Sequence, residues 1–239
     1  MFSSAFRGSP EPQMTELRDD VVLLEHSDPG ARQAQLSTNT YAVLRPGRAL
    51  FIDTNFSPLV PFVRQLAARG FTPAALVISH RHVAGTGDAL RTLANQFKMP
   101  VLMHPWDAEH PQARVAQVPY ENPMAHPLLV EFGLEAVHFP GHTLGHIALY
   151  SAEKGGLLFA GDAAMGTTAG QAASGIERLI RPPAGLSTDD TELRKQWLSF
   201  IRPVATVLPY HGTGYVDRAA DIARIMAPLT RERPTTGFA

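Results

Sequence analysis

The chain contains no cysteine. That absence excludes disulfide bridges, cysteine-ligated zinc and thiol nucleophiles, and it leaves imidazole and carboxylate as the good metal ligands. An excess of one charge is missing too, since 21 Lys and Arg face 22 Asp and Glu for a net charge of −1. No global field draws such a chain to nucleic acid or to an anionic membrane, and neither is expected as a partner. No apolar run approaches the length of a membrane span. The stretch from Met1 to Gln13 lacks the apolar core and small-residue cleavage pattern of a signal peptide, so a cytoplasmic location is the expectation. Internal repeats, low-complexity blocks and interdomain linkers are absent as well. A chain of 239 residues with 44% hydrophobic content is then read as one soluble domain with a substantial core. The expected organisation is a mobile N-terminal segment over 1–20, a single domain over 21–231 and a tail over 232–239.

What is present has two rhythms. Val21 to Leu24, Thr40 to Leu44 and Ala49 to Ile52 read as strands of an antiparallel opening. Leu59 to Ala68 then has apolar residues at helical spacing, Ala75 to Ile78 is a buried strand, Ala89 to Phe97 is helical, and Val101 to Met103 is again a strand. Alternation of this kind argues for a layered α/β structure with helices covering a sheet. A Pro-rich passage from Pro105 to Pro127 is read as a short helix and a surface loop. Strands return at Leu134 to Phe139, Ile147 to Tyr150 and Leu157 to Ala160. Ala163 to Leu186 reads as a long excursion of the kind that shapes substrate pockets. Ser187 and Thr188 are cap candidates for a helix reaching Phe200; Val204 to Leu208 makes the last strand and Val216 to Leu229 the last helix.

Four separated segments deliver a His or an Asp at the expected end of a strand: His80-Arg81-His82, Gly141-His142, Gly161-Asp162 and Tyr210-His211-Gly212. Histidines at i and i+2 do not share a helix face, but on a loop leaving a strand both can turn toward one ion. Pro140 and Gly141 end a strand and let the backbone bend, so the ring of His142 can join them. Three imidazoles are enough to hold a catalytic zinc with one position open for water. Asp162 comes off another strand and can bind the metal or orient that water.

In this order the segments resemble the metallo-β-lactamase superfamily, including its glyoxalase II-like hydrolases. The resemblance covers about Val21 to Tyr215; Asn39-Thr40-Tyr41 and Phe51-Ile52-Asp53-Thr54 look like the family's early strands, and Gly141-His142-Thr143-Leu144-Gly145-His146 is close to its third motif. It implies an αββα sandwich in which Asp162 bridges two metals, His211 belongs to the second, and Asp53 supports the ligand loop by hydrogen bonding. His146 and His104 are expected to support or pack rather than ligate. The match has a gap. The family's second motif reads His-x-His-x-Asp-His, whereas Ala84 and Gly85 here carry no donor atoms. Asp88 could swing back on a loop made permissive by Gly85 and Gly87, but it is read as the cap of the following helix. Asp162 and His211 alone are too few donors for a tightly held second ion, so one divalent metal is expected, zinc first, with iron or manganese compatible.

The expected activity is therefore hydrolysis of a small carbonyl substrate, such as a lactone, thioester or other ester. His80, His82, His142 and Asp162 would hold the metal, and Asp162 and His211 would serve the chemistry. The first alternative is a mononuclear non-haem iron oxygenase; the resemblance extends to persulfide dioxygenases whose two His and one Asp match His80, His142 and Asp162. This chain follows Asp162 with Ala163 to Thr168 and lacks the arginine- and cysteine-containing loop expected there. The second alternative is a degenerate binding or scaffolding module. Arg81, Arg178 and Arg181 are candidates for recognising an anionic substrate group.

Overall fold

In the computed structural model, residues 14–27, 37–53, 59–84 and 87–233 are described. The chain opens with β1 (Met14–Arg18), β2 (Val21–Ser27), β3 (Ser37–Arg45) and β4 (Arg48–Ile52), followed by α1 (Leu59–Ala68) and β5 (Thr72–Val77). A single turn, α2 (Arg81–Ala84), leads into α3 (Gly87–Phe97), β6 (Val101–Leu102), α4 (Pro105–Ala108), α5 (Pro111–Arg114), β7 (Tyr120–Glu121) and α6 (Pro127–Glu131). Then come β8 (Glu135–His138), β9 (Ile147–Ser151), β10 (Leu157–Met165), α7 (Ala169–Ala173), α8 (Asp190–Ser199), β11 (Thr206–His211) and α9 (Ile222–Met226).

The strands run β7-β6-β5-β4-β3-β11-β10-β9-β8, with β2 also on β3 and β1 on β2. One pairing, Thr38 with His211, joins the β3 side of this curled sheet to the β11 side. Successive strand residues point to opposite faces, and here both faces are apolar. On β4, Ala49 and Phe51 enter one core while Leu50 and Ile52 enter another. On β10, Leu157 and Phe159 share that second core, and Leu158 and Ala160 enter a third. Three cores require four layers, with helices outside and the two halves of the sheet inside. Leu59, Phe62, Val63 and Leu66 put the buried face of α1 against the first core. Full burial of a side chain such as Phe62 is worth about 1.5–3 kcal/mol. On the opposite side, Leu193 and Trp197 of α8 enter the third core, where the Trp197 indole N–H donates to the Ala163 carbonyl at 2.9 Å.

The structure departs from the sequence reading in four places. Residues 14–18, expected within a mobile segment, form β1, an edge strand held by its backbone ladder to β2 and by an ion pair between Glu16 and Arg69; residues 1–13 and 234–239 lie outside the described part. Strand β10 continues to Met165, so the excursion is shorter than expected, and it carries α7 with Thr168 and Gln171 as a reciprocal cap. The cap of α8 is Asp189, because the Thr188 hydroxyl is used elsewhere. The last helix is confined to Ile222–Met226 and a 3-10 turn at Ala227–Leu229. Upstream of it, Tyr215 bridges to Val207 and Asp217 takes a left-handed backbone with its N–H donating to the Thr206 hydroxyl.

Candidate metal centre

The centre lies where strand ends of the two halves of the sheet meet. His80 follows the end of β5 and His82 sits inside the one-turn α2, and their rings meet edge to face with centroids 5.2 Å apart. His142 comes from the loop after β8, Asp162 from within β10 and His211 from the last residue of β11. The ligand atoms of His80, His82 and His142 all lie within 4.8 Å of one another. His82 Nδ1 and His142 Nε2 are 2.9 Å apart. The three rings stand nearly perpendicular in each pairing, at 82–88°. Asp162 Oδ2 is 3.4 Å from His80 Nε2, 3.5 Å from His142 Nε2 and 3.7 Å from His211 Nε2. Donors of a tetrahedral zinc stand about 3.3 Å apart given Zn–N bonds near 2.05 Å, a separation that the His80, His142 and Asp162 donors approach.

The supporting hydrogen bonds assign the proton positions. The Ser79 hydroxyl donates to Asp53 Oδ2 at 2.9 Å, and the Ser79 N–H donates to Asp53 Oδ1 at 2.7 Å. With its only proton committed, the Ser79 oxygen accepts from His80 Nδ1–H at 2.9 Å. His80 Nε2 then faces Asp162 Oδ2 at 3.4 Å, a pair that a ring proton bridges when no ion is bound and that a cation would bridge in its place. His80 Nε2 and Asp162 Oδ1 are buried without a hydrogen-bond partner among the described residues, as a site built to receive a cation requires. Asp53 thus supports the ligand loop, as the sequence resemblance implied. His146 supports it too: its Nε2 accepts from the Asp162 backbone N–H at 3.1 Å, and its ring stacks on His80 at 5.5 Å. Gly161 makes this close packing possible, since a Cβ there would lie 2.7 Å from both His146 Nε2 and Ser79 Oγ.

The charges are arranged to match. Burial, reinforced by His80, holds His142 down at about 2, and burial with the nearby His80 and Arg81 charges holds His82 down at about 4. Both rings are neutral near neutral pH. Burial also opposes the charge on His80, but the Asp162, Asp53 and Asp107 carboxylates outweigh it and raise its pKa. Burial alone would raise Asp162, yet His211, His80 and His142 keep it well below the ordinary carboxylate range, so it is anionic. Burial raises Asp53 to about 6 against the lowering effect of His80 and the two Ser79 hydrogen bonds.

Other sequence candidates have different work. Arg81 reaches Asp107 through Nη1 at 3.1 Å, and the buried Arg181 guanidinium holds Asp190 and the carbonyls of Leu229 and Arg231. Both guanidinium groups are engaged within the fold. His104 is the N-cap of α4 and stacks on His138 at 4.5 Å, away from the centre. Gly85 and the Asp88 side chain lie outside the described residues. Sequence reasoning missed Ser79, Asp107 and Thr188. Ser79 was the most accessible of these, being adjacent to His80; the Thr188 hydroxyl donates to the His142 carbonyl from 46 residues away.

No protein-family model matches the chain. Among solved structures, DIM-1 metallo-β-lactamase is similar to it with a TM-score of 0.69 at 16% identity, covering 92% of this chain and 96% of that one. A metallo-β-lactamase from Erythrobacter litoralis is similar with a TM-score of 0.67 at 16% identity, over 91% of this chain and 98% of its own. One from Pontibacter korlensis is similar with a TM-score of 0.62 at 16% identity, over 92% and 100%. The agreement lies in the path of nearly the whole chain. It shows that the chain has the metallo-β-lactamase fold, an α/β sandwich.

Proposed function

We propose that this chain, on its metallo-β-lactamase fold, is a mononuclear metal-dependent hydrolase that opens a small carbonyl substrate such as a lactone, thioester or other ester. The observation that carries the reading is the convergence of His80, His82 and His142 with the anionic Asp162 on one point. The three imidazoles, with Asp162 beside them, would hold one divalent ion; the nitrogen-rich donor set favours zinc, with iron and manganese compatible. Such an ion, when bound, lowers the pKa of a coordinated water and polarises a carbonyl. Asp162 is the carboxylate that would orient a water at the ion and accept its proton, while Asp53 is engaged by Ser79 and Asp107 by two loops. His211, 3.7 Å from Asp162 Oδ2 and one-fifth exposed, would carry that proton toward the leaving group or solvent.

A single ion is favoured by what stands at position 84. Ala84 carries no donor and is fully buried in the same core as Val83 and Tyr210, so a second ion would rely on Asp162 and His211. An iron oxygenase using His80, His142 and Asp162 is the second reading, supported by the approach of Asp162 Oδ2 to both rings. The fourth donor, His82 Nδ1, turned to the same point, favours hydrolysis. A small-molecule substrate and a cytoplasmic location belong to this proposal; among the described residues no helix is long and apolar enough to cross a membrane.

Elemental analysis of protein purified without added metal tests the reading together with a panel of lactones, thioesters, esters and β-lactams. Close to one ion per chain and metal-dependent hydrolysis are expected, and His142→Ala should lose the ion while the sheet stays folded. Two ions surviving dialysis would refute the mononuclear site. Iron with substrate-dependent oxygen uptake would establish the second reading, and no ion at all would favour the binding module.

A further inference from the structure

Asp107 lies in α4, outside every segment that supplies a ligand, and its side chain is fully buried. Each of its carboxylate oxygens is shared between the same two loops. Oδ2 accepts from the Arg81 N–H at 2.8 Å and from the Thr143 hydroxyl at 2.6 Å. Oδ1 accepts from Arg81 Nη1 at 3.1 Å and from the Gly145 N–H at 3.0 Å. Arg81 stands between His80 and His82, and Thr143 follows His142, so Asp107 is bonded to the immediate neighbours of all three imidazoles. Because each oxygen holds both loops, no rotation of the carboxylate frees one loop and keeps the other. Gly145 permits the approach, as a Cβ at that position would stand 2.5 Å from the Asp107 backbone nitrogen.

We propose that Asp107 is a positioning residue of the metal centre, a carboxylate strap that holds the His80–His82 turn and the His142 loop at ligand spacing before any ion arrives. The inference rests on the metal-centre reading above and adds to it a residue that touches neither metal nor substrate. A buried carboxylate with four charge-assisted bonds could equally serve the fold alone, and the two roles differ in what they move. A structural role changes melting temperature; a strap also changes ion affinity and ligand-field geometry.

The test is Asp107→Asn, whose amide nitrogen replaces one acceptor and so removes one bond to each loop. Zn²⁺ affinity measured against a chromophoric chelator is expected to fall about tenfold or more, in line with the effect of losing groups that orient metal ligands. The absorption spectrum of the Co²⁺-loaded protein should shift. Thr143→Val cuts a single arm and should weaken Zn²⁺ binding by a smaller factor. A folded Asp107→Asn protein with wild-type Zn²⁺ affinity and an unchanged Co²⁺ spectrum would overturn the strap. Should that variant fail to fold, unchanged affinity and spectrum in Thr143→Val would overturn it instead. Failure of the wild-type chain to bind either ion would refute the metal centre itself, and the strap with it.

Discussion

Ser79 has one hydroxyl proton and two neighbours able to share its oxygen, and that shortage sets the tautomer of His80. The proton goes to Asp53, so the oxygen can only accept from His80 Nδ1–H, and Nε2 is left to face the centre. Asp53 reaches Ser79 from a left-handed backbone with φ of 58°, a conformation that costs a non-glycine residue about 1–3 kcal/mol and persists only where surroundings enforce it. Ser79→Ala should therefore do more than remove a hydroxyl. One Asp53 oxygen and His80 Nδ1 lose their partner inside the protein, which is expected to cost about 1–3 kcal/mol in urea unfolding. With the ring no longer held, Zn²⁺ affinity should also fall. A variant that unfolds like the wild type and binds zinc equally well would show that Asp53 and Ser79 do not orient His80.

Three short helices, α4, α5 and α6, begin with a His-Pro pair, and in each the histidine Nδ1 accepts the N–H two residues on. Proline suits the first helical position because its missing N–H is not needed there, and the imidazole takes the capping place that Ser or Asp more often fills. Such a cap works only while Nδ1 is unprotonated. Burial, with the neighbouring His138 charge, lowers the pKa of His104 below 6.5. As pH falls through 6.5 the unfolded chain takes a proton that folded His104 resists, so stability present above 6.5 is progressively lost toward the folded pKa. His104→Asn keeps a capping acceptor that does not titrate. Comparing unfolding free energies one unit above and one unit below 6.5, the acid loss should shrink in the variant by up to about 1 kcal/mol. An identical loss in both proteins would remove His104 from the acid response.

The elements also differ in how far local pattern discloses them. The helix at Leu59–Ala68 and the strands around Val21, Ala49 and Ile147 were legible because their apolar period is complete within the segment. Strand β1 and the arrested final helix were not, since one depends on a backbone ladder to β2 and the other on bonds from Asp217 and Tyr215 to residues of β11. In the candidate site, the residues with metal-binding chemistry could be read from their types and order. The group joining them could not: Asp107 looks like any acidic residue of a Pro-rich passage until partners 26 to 38 residues away are brought to it.

At the scale of the molecule, the centre sits on the seam between two halves of a sheet. His80 and His82 belong to the half containing β1 to β7, and His142 and Asp162 to the half containing β8 to β11. The protein already crosses this seam with the Thr38–His211 pairing, with Asn39 Nδ2 donating to the Pro209 and Gly212 carbonyls at 2.9 and 2.8 Å, and with the Ile147 N–H donating to the Ser79 carbonyl at 2.9 Å. A metal held by ligands from both sides would add a further cross-link, and one that the unfolded chain does not preserve. Binding to the folded state alone stabilises by about 2.7 kcal/mol when free metal is at 100 times Kd. For a chain of this length that corresponds to roughly 5–10 °C in Tm. Stripping the protein with a chelator should lower Tm by an amount of this order, and returning Zn²⁺ should restore it. In His142→Ala the same treatment should leave Tm nearly unmoved, because that variant no longer retains the ion. If the wild-type chain retains its ion through purification and yet melts at the same temperature after stripping, the folded state does not bind the ion in preference to the unfolded chain, and the cross-link is refuted.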